Sequence, residues 1–440
     1  MRIERTPGES RRRIPEMGLT LLVVAGLVHL AVRFTYDGFL PPPFIFDTND
    51  TFMDWFNTAF WAHNPGAFDN WRTVYPPLSF VFLRIFGMPG CYDASSFVGR
   101  DCDWVGVTAI LCWYVLGSAL AALAFWRADA RTAPFRSVCF IFGLPWLFTL
   151  ERGNLILPCF VFFTLAHGNI VRSPMIRALA AAVTINFKPY LVVPTMAWAL
   201  KRQWRVLELA GLLTLFVYLV TFAAFGDGTP MQLYANTVNW AQYVSGYVYE
   251  FLFYSTSYAP VLDLDSYKFP TRDFVGSKFL EQLVFWIPVV LHMSQALALL
   301  VFVGAWLQPR ALPTSRVALL VLTIYLMNQN PGGYTESFVV FLLFLERWER
   351  AGPMIAITMG YLLCVSYDYG LGNFAILYNT SWLGNQPVTT PVGMAAGMFL
   401  RPGFLVILFW GLALDSLLLI ARAHREQRPT LAVAPMPVPA

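Results

Sequence analysis

Charged side chains are scarce in this chain of 440 residues. Asp, Glu, Lys and Arg make up only 13% of the sequence, whereas they make up roughly a quarter of an ordinary soluble domain. Apolar residues reach 57%, and they recur to the end of the chain in runs near the roughly 20 residues that a helix needs to cross a bilayer. The scarcity of charge excludes a soluble globular protein and indicates an integral membrane protein.

Several sequence signals of other function classes are missing as well. The sequence has no CxxC motif and no Cys/His spacing typical of a metal site. It has no phosphate-binding glycine loop, nucleophile elbow, HExxH motif or nucleic-acid module. The first apolar run lacks a small-residue cleavage site, which favours a retained helix over a signal peptide. We therefore expect no required cofactor and no nucleic-acid partner. A divalent metal ion at the Asp-rich "DTND" and "DCD" stretches stays an open alternative, although these arrangements are weak signals for one.

The apolar runs predict an all-α polytopic membrane protein with about 10 to 12 transmembrane helices. Residues 1–425 form one transmembrane domain in this interpretation, and 426–440 form a Pro-rich disordered tail. The predicted crossings lie near 16–34, 104–126, 136–151, 154–170, 205–225, 281–307, 315–330, 334–346, 353–370 and 400–421.

Positive charge in short loops predicts the orientation. Most Lys and Arg side chains fall on the cytoplasmic side if both termini are cytoplasmic. The long loops 35–103, 226–280 and 371–399 then face the opposite side. Residues 75–87 are expected to form an interfacial helix or a partial insertion, because a full crossing there would place the basic stretch 126–136 outside.

Segment 178–200 is apolar but carries Lys188 and Pro189 at its middle. A proline removes a backbone donor and breaks a helix, so we predict two half-helices that enter and return. A lone lysine at that depth is costly unless it meets an anion or a water-filled cavity. A lysine that snorkels to the interface is the alternative interpretation.

The first long loop opens with "FDTNDTFMDWFNTAFW", in which Asp47, Asp50 and Asp54 lie among aromatic residues. Use of an aspartate as a helix N-cap is the alternative for any one of them. At the edge of a low-dielectric slab, however, the pKa of a carboxyl group is raised toward the range of a general base.

Cations and polar turns share the predicted outer face. Arg152 follows Glu151 in "LERGN", where a self-neutralising pair is the alternative to a functional site. "GCYDASSFVGRDCD" holds Cys91 and Cys102, for which a disulfide is plausible if the stretch is outside. The other polar residues of this face are Arg72, Tyr75, Asn154, Asn330, Tyr334 and Glu336.

The order of these short motifs resembles glycosyltransferase family 87, whose members are polyprenol-phosphate-sugar-dependent enzymes of the C-type fold. The resemblance covers an early Asp, the "YPPL" at 75–78, the "RGN" at 152–154, the "KP" at 188–189 and a late "NP". It implies a catalytic aspartate at Asp50, with Asp47 as the competing choice. Members often carry a His about five residues after the late Pro, where this chain has Glu336.

The resemblance implies a glycosyltransferase in the cell inner (plasma) membrane that works with inversion on the periplasmic face. It would move a hexose or pentose, mannose favoured, from a polyprenyl-phosphate sugar to a glycan or glycolipid acceptor. The expected phosphate- and donor-binding residues are Arg152, Lys188, Arg72 and Tyr75. The expected acceptor- or sugar-binding residues are Asp54, Asn154, Asn330, Tyr334 and Glu336.

Two other functions stay open from the sequence. A polysaccharide polymerase of lipid-linked repeats would also have many helices and cationic outer loops, but its donor would be a diphosphate lipid. A lipid or glycan transporter would show internal repeats and charges along a path to both sides. The sequence has neither an evident repeat nor such a path.

Overall fold

The structure, a computed structural model, describes residues 13–44, 47–243, 254–262, 271–329 and 332–427. It is mostly helical, at 71%. Asn330 and the tail from 428 onward lie outside the described residues.

Nineteen α-helices and one two-stranded sheet are described. The helices are α1 Arg13–Asp37, α2 Met53–His63, α3 Pro77–Ile85, α4 Ser96–Cys102, α5 Trp104–Ala128, α6 Ala133–Ile141, α7 Leu144–Arg152, α8 Ile156–His167, α9 Pro174–Phe187, α10 Met196–Leu200, α11 Trp204–Phe225, α12 Pro230–Tyr243, α13 Ala259–Leu262, α14 Thr271–Val275, α15 Ser277–Leu307, α16 Thr314–Asn328, α17 Glu336–Leu343, α18 Ala351–Leu363 and α19 Gly397–Gln427. Short 3₁₀ helices lie at Pro89–Cys91, Pro189–Thr195 and Gly333–Thr335, and the strands are β1 Gly370–Ser381 and β2 Gln386–Ala395.

Six helical segments among the described residues are long and apolar enough to cross a membrane. They are Ile14–Asp37, Trp104–Ala128, Ala133–Arg152, Trp204–Phe225, Ser277–Leu307 and Gly397–Glu426. These segments coincide with six of the predicted crossings, and they indicate a membrane-embedded protein.

The other four predicted crossings correspond to shorter apolar helices of 10–17 residues. They are α8, α16, α18, and α17 together with the 3₁₀ turn Gly333–Thr335 that precedes it. Most residues of α8 and α16 and every residue of α17 are buried, and α18 buries one face. A helix enclosed by other helices does not need the full bilayer length, because its ends contact protein instead of lipid. The predicted crossings at these four segments therefore stay predictions.

The predicted interruption at Lys188 is confirmed. Helix α9 ends at Phe187, and Lys188 is extended before the 3₁₀ turn that starts at Pro189. The guanidinium of Arg177, near the start of α9, lies 5.6 Å from the ring of Trp198 in α10. The chain thus enters and returns, with Lys188 at the reversal.

The segment predicted as the outer loop 371–399 is instead mainly an antiparallel hairpin of β1 and β2. Tyr378 pairs with Thr389, and Ser381 pairs with Gln386 next to the turn. Val388, Thr390 and Val392 are buried at every second position of β2, which is the period of a half-buried strand. The segment still connects two helices, but its strands were not predicted from the sequence, because this alternation is short and polar residues interrupt it.

Buried ion pairs tie the helices together at the end of the bundle away from Arg152. Arg136 of α6 donates to Glu16 of α1 at 2.8 and 3.0 Å, and Tyr361 of α18 donates to the same carboxylate at 2.7 Å. Arg316 of α16 pairs with Glu346 and with Asp415 of α19. Charges at this depth are costly unless paired, so these contacts fix how the helices sit against one another.

Candidate functional site

The candidate site forms where the loop 47–52 meets the end of α7. The backbone N–H of Phe52 donates to the carbonyl of Glu151 at 2.8 Å. Helix α7 then stops at Gly153, whose φ of 58° lies in the left-handed region. This hydrogen bond and the left-handed turn at Gly153 place the start of α2 directly beside Arg152 and Asn154.

Arg152 holds two carboxylates at once. One guanidinium nitrogen pairs with Asp50, and the other donates to Asp54 at 2.6 Å. The amide of Asn154 donates to the second oxygen of Asp54, also at 2.6 Å. The side chains of Asp50 and Asp54 keep 21% and 20% of their exposure, against 10% for Arg152. We call these four residues the carboxylate–arginine cluster.

The two carboxylates of the cluster differ in acidity. Burial raises the pKa of Asp50 above its usual value, although the neighbouring Arg152 opposes that shift. Burial also acts on Asp54, but Arg152, Asn154 and the ammonium of Lys188 together lower its pKa. Two neighbouring carboxyl groups whose pKa values move apart are suited to different roles. Asp50 is the better proton acceptor of the pair, and Asp54 stays ionised.

Asp47 is used differently from Asp50. Its carboxylate accepts a hydrogen bond from the backbone N–H of Asn49 at 3.1 Å and another from the side chain of Asn379 in β1. The first of these is the turn that aspartate often forms with its own backbone. Asp47 therefore joins the loop to the hairpin, and this local use favours Asp50 as the proton acceptor.

Lys188 lies beside the cluster in a pocket of tyrosines. Its ammonium donates to the hydroxyl of Tyr75 at 3.3 Å and lies 4.4 and 5.9 Å from the ring centres of Tyr75 and Tyr334. The residue is 8% exposed, and none of the described carboxylates forms an ion pair with it. Asp54 is close enough for the ammonium to lower its pKa, but the direct contacts of Lys188 are aromatic rings and a hydroxyl, and such a nearly buried cation is suited to an anionic ligand. Lys188, Tyr75 and Tyr334 are called the lysine pocket below.

Glu336 is more enclosed than the sequence suggested. It is fully buried, and one carboxylate oxygen accepts from the hydroxyl of Tyr254 at 2.7 Å. The other oxygen has no hydrogen-bond partner among the described residues. The Tyr334 ring stacks on Phe148 at 6.0 Å, which connects this region to α7. An acceptor would contact Glu336 directly only if it entered the helix bundle.

Arg72 does not join the other predicted cations. It is exposed and has a left-handed φ of 48°. In the described ranges no hydrogen bond or ion pair connects it to the carboxylate–arginine cluster or to Lys188. The structure therefore brings together Asp50, Asp54, Arg152 and Asn154, with Lys188 and Tyr75 alongside, and leaves Arg72 apart.

Cys91 and Cys102 form a disulfide, with their Cα atoms 5.6 Å apart. The segment that it closes contains Arg100, which sequence reasoning missed and which contacts the loop 47–52. In the sequence Arg100 stands between Gly99 and Asp101, a pattern typical of a solvated turn. The flanking cysteines were the available signal that this turn is fixed.

Arg152 offsets one of the two negative charges that Asp50 and Asp54 can carry. No group of three His, Cys, Asp or Glu side chains suited to a metal ion occurs in the part of the chain that the structure describes. Comparisons of the chain with protein-family models, with curated proteins and with solved structures gave no match in any of the three. Function is therefore inferred from the carboxylate–arginine cluster and the lysine pocket themselves.

Proposed function

We propose that the protein is an integral membrane glycosyltransferase similar to family 87. It would transfer a hexose or pentose, mannose favoured, from a polyprenyl-phosphate sugar to a glycan or glycolipid acceptor on the extracytoplasmic face, with inversion. The observation that carries the proposal is that a half-buried carboxylate of raised pKa, Asp50, lies near a nearly buried lysine, Lys188, which forms no ion pair with a carboxylate among the described residues. Base and cation lie at the same end of the helices.

The chemistry assigns one role to each group. The Asp50 carboxylate accepts the proton of an acceptor hydroxyl as that oxygen attacks the anomeric carbon. The bond from the anomeric carbon to the phosphate oxygen breaks, and the phosphate leaves with the electron pair. Its charge becomes more negative, and the ammonium of Lys188 stabilises the added charge. Arg152 is already engaged by Asp50 and Asp54, so its first task is to fix the two carboxylates.

A groove near the same end is suited to the lipid part of the donor. It has a volume of about 370 Å³ and is lined by apolar side chains that include Phe86, Trp104, Trp113 and Leu116. Trp104 and Leu116 are exposed and belong to the long helix α5. A prenyl chain is apolar, so burial in such a groove would be favourable.

The test measures transfer of labelled sugar from a panel of synthetic polyprenyl-phosphate monosaccharides by the purified protein in nanodiscs, with a membrane extract as the source of acceptors. Asp50→Asn keeps the shape of the side chain and removes the base, so we expect transfer to fall by about 10²-fold or more. Asp69→Asn is the matched control, because Asp69 is an exposed carboxylate of the same loop region.

Asp47→Asn separates the two candidate bases, and it should retain most of the activity. Full activity of Asp50→Asn would reject the proposed base. Absence of transfer by the wild type from every monophosphate donor would reject the proposed reaction and favour a diphosphate donor. Equal thermal unfolding midpoints of wild type and Asp50→Asn would show that a lost rate reflects chemistry.

A further inference from the structure

Arg100 is a buried cation outside the carboxylate–arginine cluster. The residue is 3% exposed and lies in the short helix α4, two residues before the disulfide cysteine Cys102. The neighbouring Asp101 accepts from its Nε at 3.0 Å, but that carboxylate is itself 58% exposed. The terminal guanidinium nitrogens of Arg100 point elsewhere, to the loop that carries Asp50.

The guanidinium of Arg100 binds this loop on both sides of Asp50. One nitrogen donates to the backbone carbonyl of Asn49 and, at 3.3 Å, to the backbone carbonyl of Thr51. The other donates to the side-chain oxygen of Asn49 at 3.1 Å. Asp50 is thus the residue between two carbonyls held by one rigid, planar group. The carboxylate of Asp50 is in turn paired with Arg152.

Trp382 in the hairpin turn closes the arrangement from the other side. Its ring centre lies 4.8 Å from the guanidinium of Arg100, and its indole N–H donates to Asp101 at 2.9 Å. Its backbone N–H donates to the carbonyl of Thr48 at 3.1 Å, and its ring packs against Phe52 at 5.3 Å. Loop, disulfide segment and hairpin turn therefore meet at Arg100.

We infer that Arg100 is a positioning residue that holds Asp50 in the geometry needed to accept a proton. The inference rests on the proposed role of Asp50 as the base. Arg100 does not touch the site of reaction in this assignment; it acts through the backbone of Asn49 and Thr51. Lysine keeps the charge but has no planar fork, so it would not bind the three oxygen atoms in the same way.

The chain offers a matched control in Arg84. Its guanidinium donates to two backbone carbonyls, of Ala62 at 2.7 Å and Phe225 at 3.0 Å, and lies 4.6 Å from the Phe225 ring. Arg84 therefore makes the same kinds of contact as Arg100, but with other segments. Arg84→Lys tests the general effect of losing such contacts, and Arg100→Lys tests the effect on Asp50.

The experiment compares kcat, donor KM and the pH dependence of transfer for wild type, Arg100→Lys and Arg84→Lys. Misplacement of a reacting group by about 1 Å costs roughly 10²-fold in rate, so we expect kcat of Arg100→Lys to fall about 10- to 100-fold with little change in donor KM. A loosened loop exposes Asp50, and because burial is what raises the pKa of Asp50, the acid limb of the rate profile should move to lower pH.

Addition of guanidinium ion to Arg100→Ala should restore part of the rate, which a general loss of folding would not allow. Unchanged kcat and an unchanged acid limb in Arg100→Lys would overturn the inference, as would an equal loss in Arg84→Lys. If wild type transfers sugar and Asp50→Asn does not, the proposed function stands whatever Arg100→Lys shows.

Amide hydrogen exchange tests the contact independently of any reaction. The backbone N–H groups of Asp50, Phe52 and Met53 are hydrogen-bonded. We expect exchange in peptides that cover 47–56 to be at least about tenfold faster in Arg100→Lys, and unchanged in Arg84→Lys. Exchange at the wild-type rate in Arg100→Lys would overturn the inference even if the substrate proved to be different.

Discussion

Gly153 and Phe52 show how backbone conformation builds the candidate site at the scale of single residues. Both have left-handed φ angles, 58° for Gly153 and 65° for Phe52. A Cβ atom added at Gly153 would lie 3.1 Å from the Cα of Phe52 and 3.2 Å from its carbonyl oxygen. A glycine is thus needed twice over, for its φ and for the close approach of the two chains.

Gly153→Ala should lower the free energy of unfolding by at least about 2 kcal/mol, from left-handed strain and displacement of Phe52. The measurement is the thermal unfolding midpoint of the purified protein. Gly211→Ala in α11 is the control, because no heavy atom lies within 4 Å of the added Cβ, and alanine is favoured over glycine in a helix by about 0.5 to 1 kcal/mol. Equal midpoints for the two variants would contradict this account.

Residue chemistry made part of the site predictable from the sequence. Arg152 and Lys188 are charges next to long apolar runs, where unpaired charge is costly, and this alone marked them as candidates. The sequence did not reveal that Arg152 binds Asp50 and Asp54 together, because that pairing depends on a loop about 100 residues away in the chain. Arg72 was grouped with these cations by sign, and the structure separates it.

At the scale of elements, proline was a more reliable signal than the alternation of apolar and polar residues. The break at Pro189 follows from the missing N–H of proline, and α9 ends one residue before Lys188. The hairpin of β1 and β2 was missed because only β2 alternates clearly between buried and exposed positions. Its turn is anchored by Trp382 to the loop before α2, a contact that no local pattern encodes.

The disulfide closes a short segment with a sequence separation of 11. In the chain-entropy view, a loop of this size stabilises the fold by about 2 to 3 kcal/mol. We expect the double variant Cys91→Ala, Cys102→Ala to show amide exchange in 88–103 that is faster by roughly 30- to 140-fold. Cys112→Ala, which removes an exposed free cysteine, should leave that exchange unchanged. A similar rate in both variants would show that the packing of α4 holds the segment without the disulfide.

At the scale of the whole molecule, polar groups concentrate at two opposite ends. The carboxylate–arginine cluster lies at the end of α7, and the pair of Glu16 with Arg136 lies where α6 begins. Hydropathy predicted the six long helices, but it does not distinguish a crossing from a buried helix at the four short ones, since burial inside protein and burial in lipid leave the same apolar composition.

The orientation proposed from positive charge is tested with single cysteines at the two ends. Tyr378 in the hairpin is 83% exposed, and the side chain of Arg347 is 72% exposed. In a background without free cysteines, we expect Tyr378→Cys to react with a membrane-impermeant thiol reagent in intact cells. Arg347→Cys should react only after permeabilisation. The reverse pattern would place the cluster on the cytoplasmic side and remove the reason for a lipid-linked donor.

The pairing of Glu16 with Arg136 also constrains how the protein is synthesised. The two residues are 120 positions apart, so the first helix leaves the ribosome long before its cationic partner exists. A buried carboxylate without that partner is costly in lipid, which favours holding the start of α1 at the membrane surface until α6 arrives. We therefore expect final seating of the first helix to be a late event in biogenesis, and we expect truncation before Arg136 to leave that helix loosely inserted.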